Sequence, residues 1–275
     1  MRDGPVNASA EVAQEWVPGD TFPDMTFETR SANLRAVLDD EPPAVIEEIH
    51  PEDPMSKFSE YAAEQYFAIG QEALSRIRLA LISAGLESPT RILDFASGAG
   101  RVMRYLKAAF PAASLTACDF HMWQAEFCAR VFGATAVEGR EDPAEIELSG
   151  PFDLVWCGSH FPHIDGHRWQ GFLKLFEAVL TPGGVVVFTV LGRYIAGLMR
   201  SGRAQGNLTK EQVELVLRDY GATGFGFQPN RFDGECVAAP SWVCRQLEAV
   251  PQLELLLYLE NGWEGQDVIA CKKAP

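Results

Sequence analysis

Residues 91–101 read RILDFASGAGR: an apolar strand, an acidic residue near its end, a turn of small residues and the start of a helix. In open α/β sheets, ligands bind at the carboxyl ends of the strands, where glycines let the backbone approach the ligand closely. The free N–H groups at the start of the next helix favour polar and negatively charged ligand groups. This stretch therefore predicts a small-molecule site at the end of its strand.

Short apolar runs alternate with helix-period segments along the rest of this region. Strands that alternate with helices of about 10 to 15 residues predict right-handed βαβ units, and hence a parallel sheet covered by helices on both faces. The predicted strands are Arg91–Phe95, Ser114–Cys118, Thr135–Val137, Phe152–Cys157 and Val185–Val190, and the predicted helices are Arg101–Phe110, His121–Phe132 and His167–Leu180. The predicted fold class is therefore α/β, with a doubly wound sheet.

Two regions are predicted, an N-terminal extension or arm over residues 1–55 and one domain over residues 56–275. The arm is rich in Pro, Asp and Glu, and prolines follow its one helix-like stretch, Ser31–Leu38. The domain begins with an amphipathic helix, since apolar residues recur at helical spacing over Tyr66–Ala84. Residues 192–250 break the strand-helix alternation, and they are predicted to be an insertion that faces the substrate.

Two helices are predicted within this insertion. Thr209 and Gln212 have the spacing of a capping box, in which each side chain binds the other residue's backbone N–H. Ser241 is the predicted cap of the second helix. Between these helices, the glycine- and phenylalanine-rich residues 221–230 are predicted to belong to a lid or to a surface that contacts the substrate.

Composition limits the function classes. The 275 residues carry 38 acidic and 23 basic side chains, and the resulting net charge of −15 repels nucleic acids and anionic lipid heads. The six cysteines include no CxxC pair and no Cys/His pair at zinc-ligand spacing, which predicts reduced, mostly buried thiols and no metal site. The sequence start lacks the apolar core of a signal peptide, and no apolar run reaches the roughly 20 residues of a membrane helix. We expect a soluble, cytoplasmic protein with neither nucleic acid nor membrane as its partner.

Two cofactor classes use a glycine-rich turn after the first strand. A dinucleotide fingerprint GxGxxG that begins at Gly98 places Met103 where a glycine or alanine packs closely against the sheet, which disfavours NAD. The other spacing is acid-x-G-x-G-x-G, with alanine in place of the first glycine, and it is filled here by Asp94, Ala96, Gly98 and Gly100. A second acid, Asp119, ends the next predicted strand, where a carboxylate can accept hydrogen bonds from both ribose hydroxyls.

These residues resemble the first motif of the class I S-adenosylmethionine (SAM)-dependent methyltransferases. The resemblance covers about Phe58–Lys273: GPFDLVWCGSHFPHID at 150–165 resembles the fourth-strand motif of the family, and LTPGGVVVFTV at 180–190 resembles its fifth strand. The runs Leu253–Leu259 and Asp267–Lys272 predict an antiparallel hairpin, which this family adds to its sheet and which a dinucleotide-binding sheet typically lacks. The resemblance implies a Rossmann-like, mostly parallel seven-stranded sheet with SAM as cofactor.

The resemblance also assigns cofactor-binding residues. It implies that Asp94 anchors the methionine amino end, that Asp119 holds the ribose and that Phe120 covers the adenine. Asp94 can instead cap the turn, and Asp119 can instead cap the next helix. The implied cofactor-binding residues are Tyr66, Asp94, Ala96, Ser97, Gly98, Gly100, Asp119, Phe120, Glu141, Cys157 and Gly158.

Three of these assignments concern the rim of the site. The resemblance implies that Glu141 or Asp142 accepts a hydrogen bond from the adenine amino group. The backbone carbonyls of Cys157 and Gly158 are expected to face the ammonium group. Tyr66 is expected to close over the sulfonium, where a cation-π contact is reasonable, or to be an ordinary core residue.

His160 and His163 follow the fourth predicted strand, at the expected position of a methyl acceptor. Methyl transfer to a hydroxyl requires a base for its proton, and a histidine that titrates near neutrality suits that task. His163 is the better catalytic candidate, because its place in FPHID matches a histidine common in related methyltransferases. It can instead orient the loop.

We therefore predict a SAM-dependent methyltransferase that transfers a methyl group directly to a small-molecule or sugar acceptor, at an oxygen. Trp242 and Trp263 shape an acceptor pocket or pack in the core, and Arg193 binds an anionic acceptor or pairs with surface carboxylates. One alternative is a non-catalytic subunit with this fold in a glycan or metabolite biosynthetic system, which is favoured if Ala96 crowds the cofactor. The other alternative is an NAD-dependent oxidoreductase. The sequence names neither the acceptor nor the oligomeric state.

Overall fold

The structure, a computed structural model, describes residues 43–57, 62–230 and 234–275. Most of the predicted arm, including the helix-like stretch Ser31–Leu38, lies outside the described residues. No helix in the described ranges is long and apolar enough to cross a membrane.

The described chain forms nine strands and seven α-helices. The strands are β1 (Arg91–Phe95), β2 (Ser114–Asp119), β3 (Thr135–Glu138), β4 (Phe152–Cys157), β5 (Leu180–Val190), β6 (Phe225–Gln228), β7 (Glu235–Ala238), β8 (Leu253–Trp263) and β9 (Gln266–Lys273). The helices are α1 (Ala62–Ala84), α2 (Met103–Ala109), α3 (Met122–Phe132), α4 (Gly166–Val179), α5 (Arg193–Arg200), α6 (Lys210–Thr223) and α7 (Pro240–Glu248).

Seven strands form one sheet in the order β3-β2-β1-β4-β5-β9-β8. The first five are parallel, and β9 runs antiparallel to both β5 and β8. This arrangement confirms the predicted α/β fold class and its terminal hairpin. Connections leave β1 toward β2 on one side and return to β4 on the other, so a ligand crevice is expected at their carboxyl ends.

Helices cover both faces of the sheet. Successive residues of β1 enter different clusters: Ile92 packs with residues of α1, α2 and α3, whereas Leu93 packs with residues of α4 and α7. Strands buried on both faces carry continuous apolar runs instead of alternating ones. That property made the central strands recognisable in the sequence.

The region 192–250 contains α5, α6, α7 and a separate antiparallel sheet of β6 and β7. The capping box of Thr209 and Gln212 is confirmed, because both side-chain-to-backbone hydrogen bonds are present. The predicted cap Ser241 is wrong: Ala239 is the N-cap of α7, and Pro240 occupies the first helical position, which its fixed φ favours. Strands β6 and β7 were not predicted, because each has only four residues, too few for a clear strand pattern.

The six cysteines are free thiols, and all except the half-buried Cys244 are buried. The prediction that the cysteines are mostly buried is therefore confirmed. In the ranges that the structure describes, no group of three or more His, Cys, Asp or Glu residues could hold a metal ion.

The turn after β1 uses left-handed backbone at three positions: Ala96 has φ 58°, Gly98 has φ 53° and Gly100 has φ 82°. Left-handed backbone costs an L-residue roughly 1–2 kcal/mol, because its Cβ approaches the following carbonyl oxygen. Ala96 therefore has a conformation that glycine adopts without this cost. The departure from the glycine pattern changes the energy of the turn and leaves its shape intact.

We expect Ala96→Gly to raise the free energy of unfolding by roughly 0.5–1 kcal/mol, since relief of the left-handed strain exceeds the extra chain entropy of glycine. The measurement is urea unfolding without cofactor. Gly98→Ala is the reverse change at a neighbouring left-handed position, and it should destabilise the chain by about 1–2 kcal/mol. Equal stability of wild type and Ala96→Gly would show that the turn is not strained at Ala96.

Candidate functional site

A cavity of about 700 Å³ lies at the carboxyl ends of β1, β2 and β4. The turn after β1 forms its floor, and the loops after β2, β3 and β4 form its sides. The lining also includes Asp53, Pro54 and Met55, from the segment before α1, and Phe227, Pro229 and Asn230, from the end of β6 and just after it. The glycine-rich turn and both predicted acids therefore face one cavity.

Asp94 lies in β1 and lines this cavity, although only 1% of its surface is exposed. Its Oδ2 atom is buried and has no hydrogen-bond partner in the described chain. Burial raises the pKa of this carboxyl well above its ordinary range, and the nearby Asp119 carboxylate raises it further. An unpartnered buried carboxylate fits a ligand with a positively charged donor group, such as an ammonium.

Asp119 ends β2 and is held by two backbone hydrogen bonds. Its Oδ2 accepts from the Gly98 N–H at 2.8 Å, and its Oδ1 accepts from the His121 N–H at 2.9 Å. Burial raises the pKa of this carboxyl, and these two bonds oppose that rise. The N-cap residue of α3 is His121, so Asp119 is not the helix cap. Each carboxylate oxygen keeps a lone pair for a ligand hydroxyl.

The predicted adenine side of the site contains Phe120 and Glu141, which both line the cavity. Phe120 is 58% exposed, an unusual state for a large aromatic ring and one that leaves a face for a flat ligand. Glu141 and Asp142 were the two alternatives predicted to accept a hydrogen bond from the adenine amino group. Asp142 accepts from the Ala144 N–H and caps a short 3₁₀ helix, whereas Glu141 lines the cavity.

Two other predicted residues lie just outside the cavity lining. Gly100 is required for packing, because a Cβ there would lie 2.3 Å from the Phe132 ring. Cys157 is fully buried, whereas the next residue, Gly158, lines the cavity together with Ala96 and Ser97. Burial raises the pKa of the Cys157 thiol well above its ordinary value, so its side chain stays neutral.

Tyr66 is placed differently from its predicted position over the sulfonium. It is buried in α1, it does not line the cavity, and its hydroxyl donates to Oδ2 of Asp53 at 2.9 Å. No local pattern predicts this bond, because Asp53 lies 13 residues earlier and across a helix boundary. Asp53 itself lines the cavity, so Tyr66 contacts a wall residue instead of the ligand space.

The two histidines after β4 have different surroundings. His163 is exposed at the cavity, and its Nδ1 lies 3.1 Å from the Gly234 carbonyl oxygen. A carbonyl only accepts, so Nδ1 carries the proton and Nε2 keeps its lone pair. This is the tautomer that a base at Nε2 requires.

His160 also lines the cavity, but its ring packs between Phe95 and Phe172, with ring centroids 5.2 and 4.4 Å away. Its Nε2 is buried without a partner in the described chain. Burial lowers the pKa of His160 to about 3, and the positive charge of Arg168 adds to the effect. His160 therefore stays neutral near pH 7 and is a poor proton acceptor, which disfavours it as the base.

The other three candidates, Trp263, Trp242 and Arg193, lie at the cavity, away from the cavity and on the surface, respectively. Trp263 lines the cavity, and its Nε1 donates to the Ile69 carbonyl at 2.9 Å. Trp242 stacks on Phe225 at 4.3 Å between ring centroids and does not line the cavity. Arg193 donates from Nε to Glu260 at 2.8 Å on the surface.

Sequence reasoning missed a hydrogen-bonded group beside the cavity. The Ser159 N–H donates to the Thr189 hydroxyl at 2.8 Å, that hydroxyl donates to Gln266 at 2.7 Å, and Gln266 donates back to the Ser159 hydroxyl at 2.5 Å. Ser159 has φ 56°, so this closed set holds a serine in left-handed backbone at the cavity wall. The three residues come from the loop after β4, from β5 and from β9, which the sequence does not place together.

Comparisons with known proteins agree with this architecture. Residues 92–184 match the family model described as "Methyltransferase domain". A curated protein, trans-aconitate 2-methyltransferase of Streptomyces avermitilis, is 30% identical over 111 residues, which are 38% of this chain and 40% of that protein. The aligned part thus spans less than half of the relative's length.

Solved structures share the fold at low sequence identity. A SAM-dependent methyltransferase from Clostridium acetobutylicum is 14% identical, with a TM-score of 0.52 over 76% of this chain and 92% of that one. The glycopeptide N-methyltransferase MtfA is 15% identical, with a TM-score of 0.50 over 74% of this chain and 90% of that one. Residues 92–184 are therefore similar to a methyltransferase domain, and the described chain has the fold of these S-adenosylmethionine-dependent methyltransferases.

Proposed function

We propose that this protein is a methyltransferase that uses SAM to methylate a small molecule. The observation that carries the proposal is the pair of buried carboxylates at one turn: Asp94 has an unpartnered oxygen, and Asp119 is held by the turn's own backbone. Asp94 suits an ammonium group, such as that of the methionine part of SAM. Asp119 suits a pair of hydroxyls, such as those of the SAM ribose. The match of residues 92–184 to a methyltransferase domain supports the same cofactor.

The residues present fit this cofactor. Asp94 would hold the methionine ammonium, Asp119 would hold the ribose, and Phe120 with Glu141 would face the adenine. When bound, SAM supplies an electrophilic methyl group on its sulfonium. The cavity walls would orient the acceptor and exclude water, so catalysis by proximity and desolvation suffices for much of the rate.

His163 is the proposed base for an oxygen acceptor. Its Nδ1–H is fixed by the Gly234 carbonyl, which leaves Nε2 to remove the proton of a hydroxyl as that oxygen attacks. A sugar hydroxyl or another small hydroxylated molecule is the acceptor proposed from the sequence. The Streptomyces avermitilis relative is named for a small organic acid. This name supports a small molecule as the acceptor and does not indicate which acceptor atom is methylated.

The test of the cofactor class is calorimetric titration with SAM, S-adenosylhomocysteine (SAH) and NADH. We expect binding of SAM and SAH and none of NADH. Binding of NADH alone would favour an oxidoreductase. If SAM and SAH bind, the next measurement is the formation of SAH from SAM in the presence of a panel of small hydroxylated acceptors. This measurement separates an enzyme from a non-catalytic subunit.

Asp119→Ala should weaken SAH binding at least tenfold, because hydrogen bonds to a charged acceptor contribute about 1.5–3 kcal/mol each. The measurement is calorimetry near pH 7.5. Asp153→Ala is the matched control, since Asp153 also accepts backbone and hydroxyl hydrogen bonds, from Thr90 and Arg91, outside the cavity. Equal affinities of wild type and Asp119→Ala would remove Asp119 from the site.

Asp94 should make SAH binding depend on pH. The raised pKa of this carboxyl means that it is protonated at low pH, whereas a bound ammonium favours the ionised form. SAH affinity should therefore fall as the pH is lowered from 8 to 5, and binding should release protons. Calorimetry in buffers of different ionisation enthalpy measures both effects.

The same carboxyl should affect the stability of the free chain with the opposite sign. Because its pKa is higher in the folded chain than in the unfolded one, its contribution to stability is lost as the pH rises through the folded value. Asp94→Asn should thus raise the thermal midpoint of the free protein more at pH 8 than at pH 5, while it weakens SAH binding. An unchanged pH dependence in Asp94→Asn would assign the effect to another group.

His163→Ala should lower kcat by roughly a hundredfold to ten-thousandfold with a hydroxyl acceptor and leave SAH affinity within twofold of wild type. His167→Ala is the control, because His167 is an exposed histidine that also lines the cavity. Steady-state kinetics with the same acceptor measure kcat and KM for wild type and both variants. A loss of SAH affinity with kcat near that of wild type would instead show that His163 only holds the loop.

A further inference from the structure

Residues 46–57, here called the strap, lie across α2 and α3 before they reach the cavity. The His50 ring packs against Trp123 and Phe127 of α3, with centroids 4.6 and 5.1 Å away, and Glu48 pairs with Arg130 at 2.9 Å. At the far end of the strap, Asp53, Pro54 and Met55 line the cavity. The strap is thus one wall of the site, although it lies outside the strand-helix alternation that builds the rest.

Arg104 of α2 fixes the first half of the strap. Its guanidinium is buried, and it donates from Nη1 to the Ile46 carbonyl at 2.5 Å and from Nη2 to the Glu48 carbonyl at 3.2 Å. Its Nε donates to the Gly100 carbonyl at 3.2 Å, in the turn after β1. One buried cation therefore joins the strap to the same turn that forms the cavity floor.

Tyr66 and Asp53 fix the second half. The Tyr66 hydroxyl donates to Asp53 Oδ2 at 2.9 Å, and Asp53 Oδ1 accepts from the Met55 N–H at 2.9 Å, which caps the 3₁₀ helix of residues 54–56. Both Tyr66 and Asp53 are almost fully buried. Arg104 also donates to the Tyr66 hydroxyl at 3.3 Å, so the two fixing points are joined.

We propose that Tyr66 is a positioning residue for cofactor binding, which acts through Asp53 to hold the strap closed as a wall of the cofactor cavity. This inference rests on the proposed function, since the ligand it concerns is SAM or SAH. The bound ligand contacts Asp53, Pro54 or Met55, and the strap opens when the ligand enters or leaves. Tyr66 therefore affects the ligand's dissociation rate without touching the ligand.

The first test compares two matched variants in SAH binding. Tyr66→Phe removes the bond to Asp53, and Tyr258→Phe removes an equivalent bond, from the Tyr258 hydroxyl to Asp267 Oδ2 at 3.0 Å, outside the cavity. Stopped-flow displacement of SAH should give a dissociation rate raised about tenfold in Tyr66→Phe and changed less than twofold in Tyr258→Phe. A structural effect alone would lower the thermal midpoint in both variants and leave both dissociation rates near wild type.

The second test is limited trypsin digestion of the wild-type chain with and without saturating SAH. Lys57, at the end of the strap, has a side chain that is 53% exposed, and we expect trypsin to cleave after it faster when the strap is open. SAH should slow this cleavage at least fivefold and leave cleavage after the exposed Arg203, outside the cavity lining, unchanged. In Tyr66→Phe the protection by SAH should be smaller.

The possible outcomes separate the two proposals. If wild type binds SAH but Tyr66→Phe keeps the wild-type dissociation rate, or if SAH leaves Lys57 cleavage as fast as before, the strap is not a wall that closes on the ligand and the inference is wrong. If wild type fails to bind SAH, the proposed function fails and the inference fails with it.

Discussion

The hydrogen bond from the Gly98 N–H to Asp119 Oδ2 joins the turn after β1 to the end of β2, and the cavity depends on it. It fixes the turn against the neighbouring strand and orients the Asp119 carboxylate with one lone pair still available. The turn that donates this bond has left-handed backbone at Ala96, Gly98 and Gly100, which is one constraint on all three residues. Glycine meets that constraint without strain, and alanine meets it at some cost.

A second consequence of this geometry is a concentration of buried negative charge. Asp53, Asp94 and Asp119 all line one cavity, and the charge of Asp119 opposes ionisation of Asp94. A buried carboxylate without a partner is unfavourable in a free protein, and functional sites are where such groups are retained. The free protein is therefore less stable at neutral pH than an uncharged cavity would make it, and a cationic ligand group offsets this. The net charge of the chain has the same sign and does not relieve it.

Arg104 is a buried positive charge that also contacts the turn after β1. It is a buried cation whose described hydrogen bonds go to backbone carbonyls and to the Tyr66 hydroxyl, and its charge also lies over the rings of Tyr66, Phe67 and Phe132. Such a satisfied guanidinium ties separate chain segments together with little freedom to rearrange. The cavity floor and the strap thus share one anchor, which is why Tyr66, a residue outside the cavity lining, can affect binding.

Local patterns in the sequence predicted the main sheet, its helices and the turn after β1: apolar runs, helical spacing, glycines at fixed intervals and an acid at a strand end. Asp94, Asp119 and Gly98 were predicted in this way and lie at the cavity. Three sets of contacts became apparent only in the folded structure: Tyr66 binds Asp53, His160 is enclosed by Phe95 and Phe172, and Ser159 meets Thr189 and Gln266. Each of these contacts joins residues whose spacing follows no helix or strand period, and they form because the packing of whole elements brings distant side chains together.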